Sequence, residues 1–153
     1  MINILDLGGN LTLMTTEEAM ELINLFKRLE SGTFKIPIDG KMEYNFLSTS
    51  TRSEFKVNVY RVTKASKISY CGLLKGKNIM LIRLDITPNG KHRNPDGEII
   101  EGNHLHIYSE EYGDRFAISF NSDNDDVFVN CLVFFEMFNI IDTKIDSQIS
   151  LFN

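Results

Sequence analysis

Apolar residues recur at helical spacing near the start of the chain. Thr15-Thr16-Glu17-Glu18 has the form of a capping box, and Ala19, Leu22, Ile23, Phe26 and Leu29 then recur on one helical face until Ser31-Gly32. This predicts one amphipathic helix that ends at the glycine. From Thr33 to Phe120 the period drops to two, with Phe34, Ile36 and Ile38, then Phe55, Val57 and Val59. Gly40, Ser48-Thr49-Ser50-Thr51 and Lys75-Gly76 punctuate this stretch. An antiparallel meander is expected. Ser122-Asp123-Asn124-Asp125-Asp126 then offers capping side chains and anions for the positive end of a helix, and Val127, Cys131, Leu132, Phe135 and Phe138 form its apolar face. Lys144 to Asn153 reads as a short strand or a docking tail.

The elements add up to an α+β fold: a curved antiparallel sheet with an N-terminal and a C-terminal helix packed on it. At 153 residues, 42% of them hydrophobic, the chain has material for one domain with one core. The first residues show no basic region followed by an apolar run, and no later stretch approaches the roughly 18 apolar residues of a membrane span. A cytoplasmic protein with no membrane partner is expected. Cys71 and Cys131 lack the spacing of a metal knuckle or redox pair and read as reduced core thiols.

The net charge of −5 excludes a protein that coats nucleic acid by electrostatics alone. Its distribution is uneven: residues 1–93 carry 14 of the 16 basic side chains, while residues 94–153 carry 12 of the 21 acidic ones. An acidic C-terminal half, with Asp123, Asp125 and Asp126 at its centre, would suit docking on a basic partner.

Candidate chemistry concentrates between the strands expected at Ile79–Ile86 and His104–Tyr108. All three histidines of the chain, His92, His104 and His106, fall in this stretch. Its connecting segment, 87–103, is longer than a compact domain uses without purpose. Within it Asn94-Pro95-Asp96-Gly97 is a turn by mechanism, because proline presets φ, the aspartate bonds its own backbone and glycine allows positive φ. Strand alternation places His104, His106 and Tyr108 on one face, and Arg83 and Asp85 together on one face of the preceding strand. Arg115, on the strand expected next, can join them, and His92 is carried over the patch by the loop.

Three chemistries fit. His92, His104 and His106, with Asp85 and Tyr108, are candidates for general acid and base, while Arg83, Arg93 or Arg115 stabilises charge on a phosphoryl group, as in a metal-independent nuclease. Alternatively, His104 and His106 bind a transition metal, completed by His92 or Asp85. In the third, the same side chains, with Arg83, Arg93, Asn94, Asp96 and Arg115, bind a phosphorylated ligand or a protein without turnover. The bland alternative is that the histidines satisfy loop carbonyls and an Asp85–arginine pair fixes the loop. No cofactor motif stands in the sequence: there is no phosphate-binding glycine loop, nucleophile elbow, H-E-x-x-H helix or zinc-finger spacing.

Arg83-Leu84-Asp85-Ile86, His92-Arg93-Asn94-Pro95-Asp96-Gly97, His104-Leu105-His106-Ile107-Tyr108 and Gly113-Asp114-Arg115-Phe116-Ala117 together resemble a family of short uncharacterised proteins of Gram-positive bacteria and their phages. The resemblance implies a single α+β domain and a phage or mobile-element setting of defence, counter-defence or toxin systems. It points to Asp85, His92, Asn94, Asp96, Gly97, His104, His106 and Tyr108. The expected function is an accessory protein that binds, and in one version cleaves, a nucleotide or nucleic acid. The alternative is a non-enzymatic, anti-CRISPR-like inhibitor of a host defence protein.

Overall fold

The computed structural model describes residues 14–122 and 126–146. Met1–Asp6, Asp123, Asn124, Asp125 and the end of the expected tail lie outside the described residues. Helix α1 (Thr16–Asn24) starts where the sequence places it: the Thr15 side chain accepts from Glu18 N, and the Glu18 carboxylate accepts from Thr15 N. It ends earlier than the apolar spacing predicts. Leu25 turns to extended backbone, Lys27–Leu29 forms strand β1, and Phe26 is left exposed.

The shortening has a long-range cause. The Lys27 side chain is fully buried, and its Nζ donates to Ile23 O, Leu25 O and Phe138 O at 2.9, 2.7 and 2.8 Å. Two of these are carbonyls at the end of α1, which a continued helix would have engaged itself. The ammonium also sits 4.0 Å from the Phe138 ring centre and 4.7 Å from that of Phe55.

Beyond β1 the chain forms β2 (Phe34–Lys35), β3 (Gly40–Ser48), β4 (Glu54–Val62), β5 (Lys67–Leu74) and β6 (Ile79–Ile86). After these come β7 (Lys91–Arg93), β8 (Ile99–Glu101), β9 (His104–Ile107) and β10 (Ala117–Ser119). Seven of these strands make one open antiparallel sheet in the order β1-β3-β4-β5-β6-β9-β10. Strands β7 and β8 form a separate hairpin, so the segment from 87 to 103 is not structureless. Helix α2 (Val127–Met137) follows, capped by the Asp126 carboxylate, which accepts from Phe128 N and Val129 N. Strand β11 (Ile145–Asp146) pairs in parallel with β2.

Alternation divides the sheet into two faces. Phe46, Phe55, Val57, Val59, Tyr70, Leu84 and Leu105 belong to the buried apolar cluster, together with Ala19 and Ile23 of α1 and Cys131, Phe134 and Phe135 of α2. Phe134 stacks on Tyr70, and Phe138 meets Phe55 edge-on with ring centres 5.8 Å apart. Gly72 makes room for that ring, because a Cβ there would lie 2.6 Å from it. The other face carries two polar ladders across five strands. One runs Lys41, Tyr60, Ser69, Asp85, His104, and the second Glu43, Asn58, Cys71, Arg83, His106. Cys71 therefore lies on the polar face rather than in the core, and burial pushes its thiol up to about 12. Among the described residues no helix is long and apolar enough to cross a membrane.

Burial drives the pKa of Lys27 down to about 7, from an ordinary 10.5. Between those values the unfolded chain binds more protons than the folded one, so stability rises with pH across that window. Lys27→Met is expected to flatten this rise between about pH 7 and pH 9, and to cost about 2–4 kcal/mol because two buried carbonyls and one half-buried carbonyl lose their donor. Urea midpoints of the two proteins across that pH range check both effects.

Candidate metal and anion site

Strands β6 and β9 pair directly, with Asp85 opposite His104 and Arg83 opposite His106. The polar rows that alternation predicts thus become one patch. The Asp85 carboxylate is its centre. Its Oδ2 lies 3.0 Å from His104 Nε2, 3.5 Å from His106 Nε2 and 3.1 Å from Arg83 Nε, and its Oδ1 accepts from Ser69 Oγ at 2.6 Å. Burial alone would raise its pKa, but hydrogen bonds from His104 and Ser69 and the Arg83 charge hold it well below the usual carboxylate range. Burial likewise disfavours the His104 imidazolium, yet the Asp85 bond and the Gly102 carbonyl outweigh it and raise the His104 pKa above 6.5.

His92 reaches the patch from the β7–β8 hairpin, closed by the Asn94-Pro95-Asp96-Gly97 turn with Gly97 at φ 95°. The His92 ring stacks on His104 at 5.3 Å and meets His106 edge-on at 4.7 Å. One ligating nitrogen from each of the three imidazoles lies within 4.8 Å of the other two. One nitrogen of each ring faces a main-chain carbonyl: His92 Nε2 on Arg115 O, His104 Nδ1 on Gly102 O and His106 Nδ1 on Asp114 O, each at 2.9 Å. A carbonyl only accepts, so these nitrogens carry the hydrogens. When neutral, His92 and His106 are left with lone pairs on Nδ1 and Nε2 respectively, whereas His104, whose Nδ1 and Nε2 both donate, to Gly102 O and the Asp85 carboxylate, offers Nε2 to an ion only by giving up that hydrogen. Arg83 Nη2 stands 3.0 Å from His106 Nε2, and since a guanidinium only donates, that nitrogen is an acceptor.

Backbone carbonyls that fix the tautomer of a ligating imidazole are the usual outer partners of a metal centre. The separations of Asp85 Oδ2 from the two Nε2 atoms bracket the ligand–ligand edge of about 3.3 Å that bonds of 2.0–2.1 Å make in a tetrahedron. His92, His104 and His106 can therefore hold a transition ion, with the Asp85 carboxylate beside two of them. Beside them a cleft of about 470 Å³ is lined by Arg83, Arg93 and Arg115, with His92, His106 and Asp114. Three guanidiniums there favour an anion.

Other residues expected at the site have different places. Strand β9 ends at Ile107, so alternation does not extend to Tyr108. Its ring joins the core, and its hydroxyl donates to Met14 O and accepts from Met14 N. Asn94 is buried with both ends of its amide on the Ala117 backbone, which clamps the hairpin to β10. Asp96 accepts from Glu98 N within the turn. Arg115 lies before β10 rather than on it, and its carbonyl holds His92 while its Nε donates to Tyr112 O. Of the acidic group, Asp126 caps α2, and Asp123 and Asp125 fall outside the described residues. Sequence reasoning missed Ser69 and the carbonyls of Gly102 and Asp114. Counting back from the Lys75-Gly76 turn would have found Ser69, but for a bulge at Leu81 that shifts the β5–β6 register by one residue.

Asp85→Asn in chelator-treated protein is expected to cost about 3–5 kcal/mol, since it strips a buried charge network of its anion. His92→Ala, at a half-buried hairpin position, is expected to cost under about 1 kcal/mol. Urea unfolding of the two variants tests this contrast, and equal losses would remove Asp85 from the centre of the patch.

No curated protein and no solved structure matches the chain. Residues 14–140 match a family of unknown function. That span runs from the start of the described residues past α2 and includes every donor of the imidazole cluster, and the chain accordingly belongs to this family, DUF6978.

Proposed function

We propose that this protein is a metal-dependent hydrolase of phosphate esters. The observation that carries the reading is the convergence of three imidazoles, each with one nitrogen held by a main-chain carbonyl. The Asp85 bond accounts for His104, but the fold alone gives no reason for a third imidazole, from a separate hairpin, to bring a nitrogen within 4.8 Å of both others. In this reading His92, His104, His106 and Asp85 hold the ion. Arg83, one-third exposed on a flexible stem, withdraws from His106 Nε2 into the cleft. A divalent transition ion so placed polarises a phosphoryl oxygen and lowers the pKa of a bound water. Arg83, Arg93 and Arg115 bind the other phosphoryl oxygens and stabilise the charge that develops on them. The biological setting proposed, a phage or mobile-element accessory protein in the bacterial cytoplasm, rests on the sequence resemblance alone.

Metal analysis of the purified protein, repeated after reconstitution with zinc, manganese and cobalt in turn, is expected to find about one ion per chain. His92→Ala is expected to lower the affinity at least about tenfold without unfolding the protein. Hydrolysis of bis(p-nitrophenyl) phosphate should vanish with chelator and return with the ion. Failure to take up any of these ions overturns the metal centre. Stoichiometric uptake without hydrolysis above that of the free ion overturns the hydrolase and leaves the centre standing.

A further inference from the structure

The polar face of the sheet continues past the imidazole cluster into a second cleft of about 390 Å³, which shares Arg83 and Asp85 with the site and extends to Lys41, Asn58, Tyr60 and Lys67. Three features of this cleft are unexplained by the fold. Asn58 Oδ1 is buried without a hydrogen-bond partner, and it alone has that status among the described residues. Leaving such an acceptor unmet costs about 1–3 kcal/mol. Tyr60 holds its ring on the polar face with 47% of the residue exposed and no ring contact among the described residues. Lys67, on the strand next to it, has no ion pair among the described residues, whereas Lys41 is paired with Glu43 at 2.9 Å.

An unmet acceptor, an open aromatic face and an unpaired cation beside a phosphate-binding cleft match the parts of a nucleotide: a base edge that donates, a base face that stacks, and a neighbouring phosphate. Tyr60 stands three strands from His104 in the same ladder, about 14 Å at the usual strand spacing. A ligand bridging the two clefts is therefore larger than a simple phosphomonoester. We infer that the second cleft is a nucleoside subsite and that the substrate class is a single-stranded nucleic acid. Its scissile phosphate lies by Arg83 and the imidazoles, and an adjacent base stacks on Tyr60 and donates to Asn58 Oδ1 once that amide, half-buried and without a partner for its oxygen, turns into the cleft. A duplex does not fit this role, because its bases are stacked on one another and their donors are paired. With a net charge of −5 the chain gains no general attraction for polyanions, so affinity comes from these local contacts. The inference names the substrate of the hydrolase proposed above and rests on that reading for the cleavage step, but not for binding.

The test uses the full-length protein stripped of metal with chelator, so that binding is read without turnover. The probes are fluorescein-labelled single-stranded RNA, single-stranded DNA of the same sequence, and the corresponding duplex, followed by anisotropy. Single strands are expected to bind at least about tenfold tighter than duplex. The RNA and DNA arms report which sugar is preferred. Tyr60→Ala is expected to weaken single-strand binding about tenfold or more and Tyr60→Phe to retain it. Asn58→Leu is expected to weaken binding while raising the melting temperature, because the unmet acceptor is gone. Both positions lie outside the ion-holding set, so metal content should stay at the wild-type value. Single-strand binding weaker than about 100 µM, the range of non-specific contacts, overturns the subsite, as does an affinity unchanged in Tyr60→Ala. Either result leaves the metal centre untouched, whereas loss of metal binding with oligonucleotide binding intact overturns the hydrolase and spares the subsite.

Discussion

The antiparallel register between β6 and β9 is the constraint on which the polar face depends. It sets Asp85 opposite His104 and Arg83 opposite His106, and a slip of β9 by one residue would turn His104 and His106 into the apolar cluster on the other face. That cluster is what forbids the slip. Leu84 and Leu105 are buried among the core residues, so the same register that satisfies the hydrophobic side assembles the charged one. Stability and site formation are thus consequences of a single pairing.

A buried carboxylate at the centre of that pairing would be costly without partners. Asp85 has three donors, from three strands: Ser69 on β5, Arg83 on β6 and His104 on β9. The hairpin of β7 and β8 completes the arrangement from outside the sheet, held by the Asn94 amide on Ala117 and by His92 on Arg115 O. This clamp leaves an arginine-lined cleft on one side of the imidazoles and the Asn58–Tyr60 cleft on the other, with Arg83 between them. Lys27 has a comparable part at the far edge of the sheet. It binds the end of α1 and the end of α2 to β1 through one ammonium.

What could be read from the chain divides along the range of the forces involved. The start of α1 was legible because a capping box is local, and its end was not, because a residue 111 positions from Phe138 supplies the competing interaction. The turn at Asn94–Gly97 is legible from its residues, while the strands it joins, Lys91–Arg93 and Ile99–Glu101, are too short to show a period. Alternation placed Arg83 with Asp85 and His104 with His106. It failed at Tyr108, one residue past the end of β9, and could not find Ser69 across the bulge at Leu81. Asn94 was read as a ligand group because nothing in a sequence distinguishes an amide that clamps two backbone segments from one that faces a substrate.

By itself, then, the sequence determined the class of elements, the segment in which the chemistry gathers and the residue types available to it, since these follow from periodicity, turn chemistry and composition. Only the tertiary structure decided which nitrogens converge, that Asp85 rather than a histidine is the hub, and that Tyr108 and Asn94 serve the fold. Those outcomes depend on strand register, one bulge and main-chain carbonyls. They arise from the packing of segments far apart in the chain, where short-range patterns carry no information.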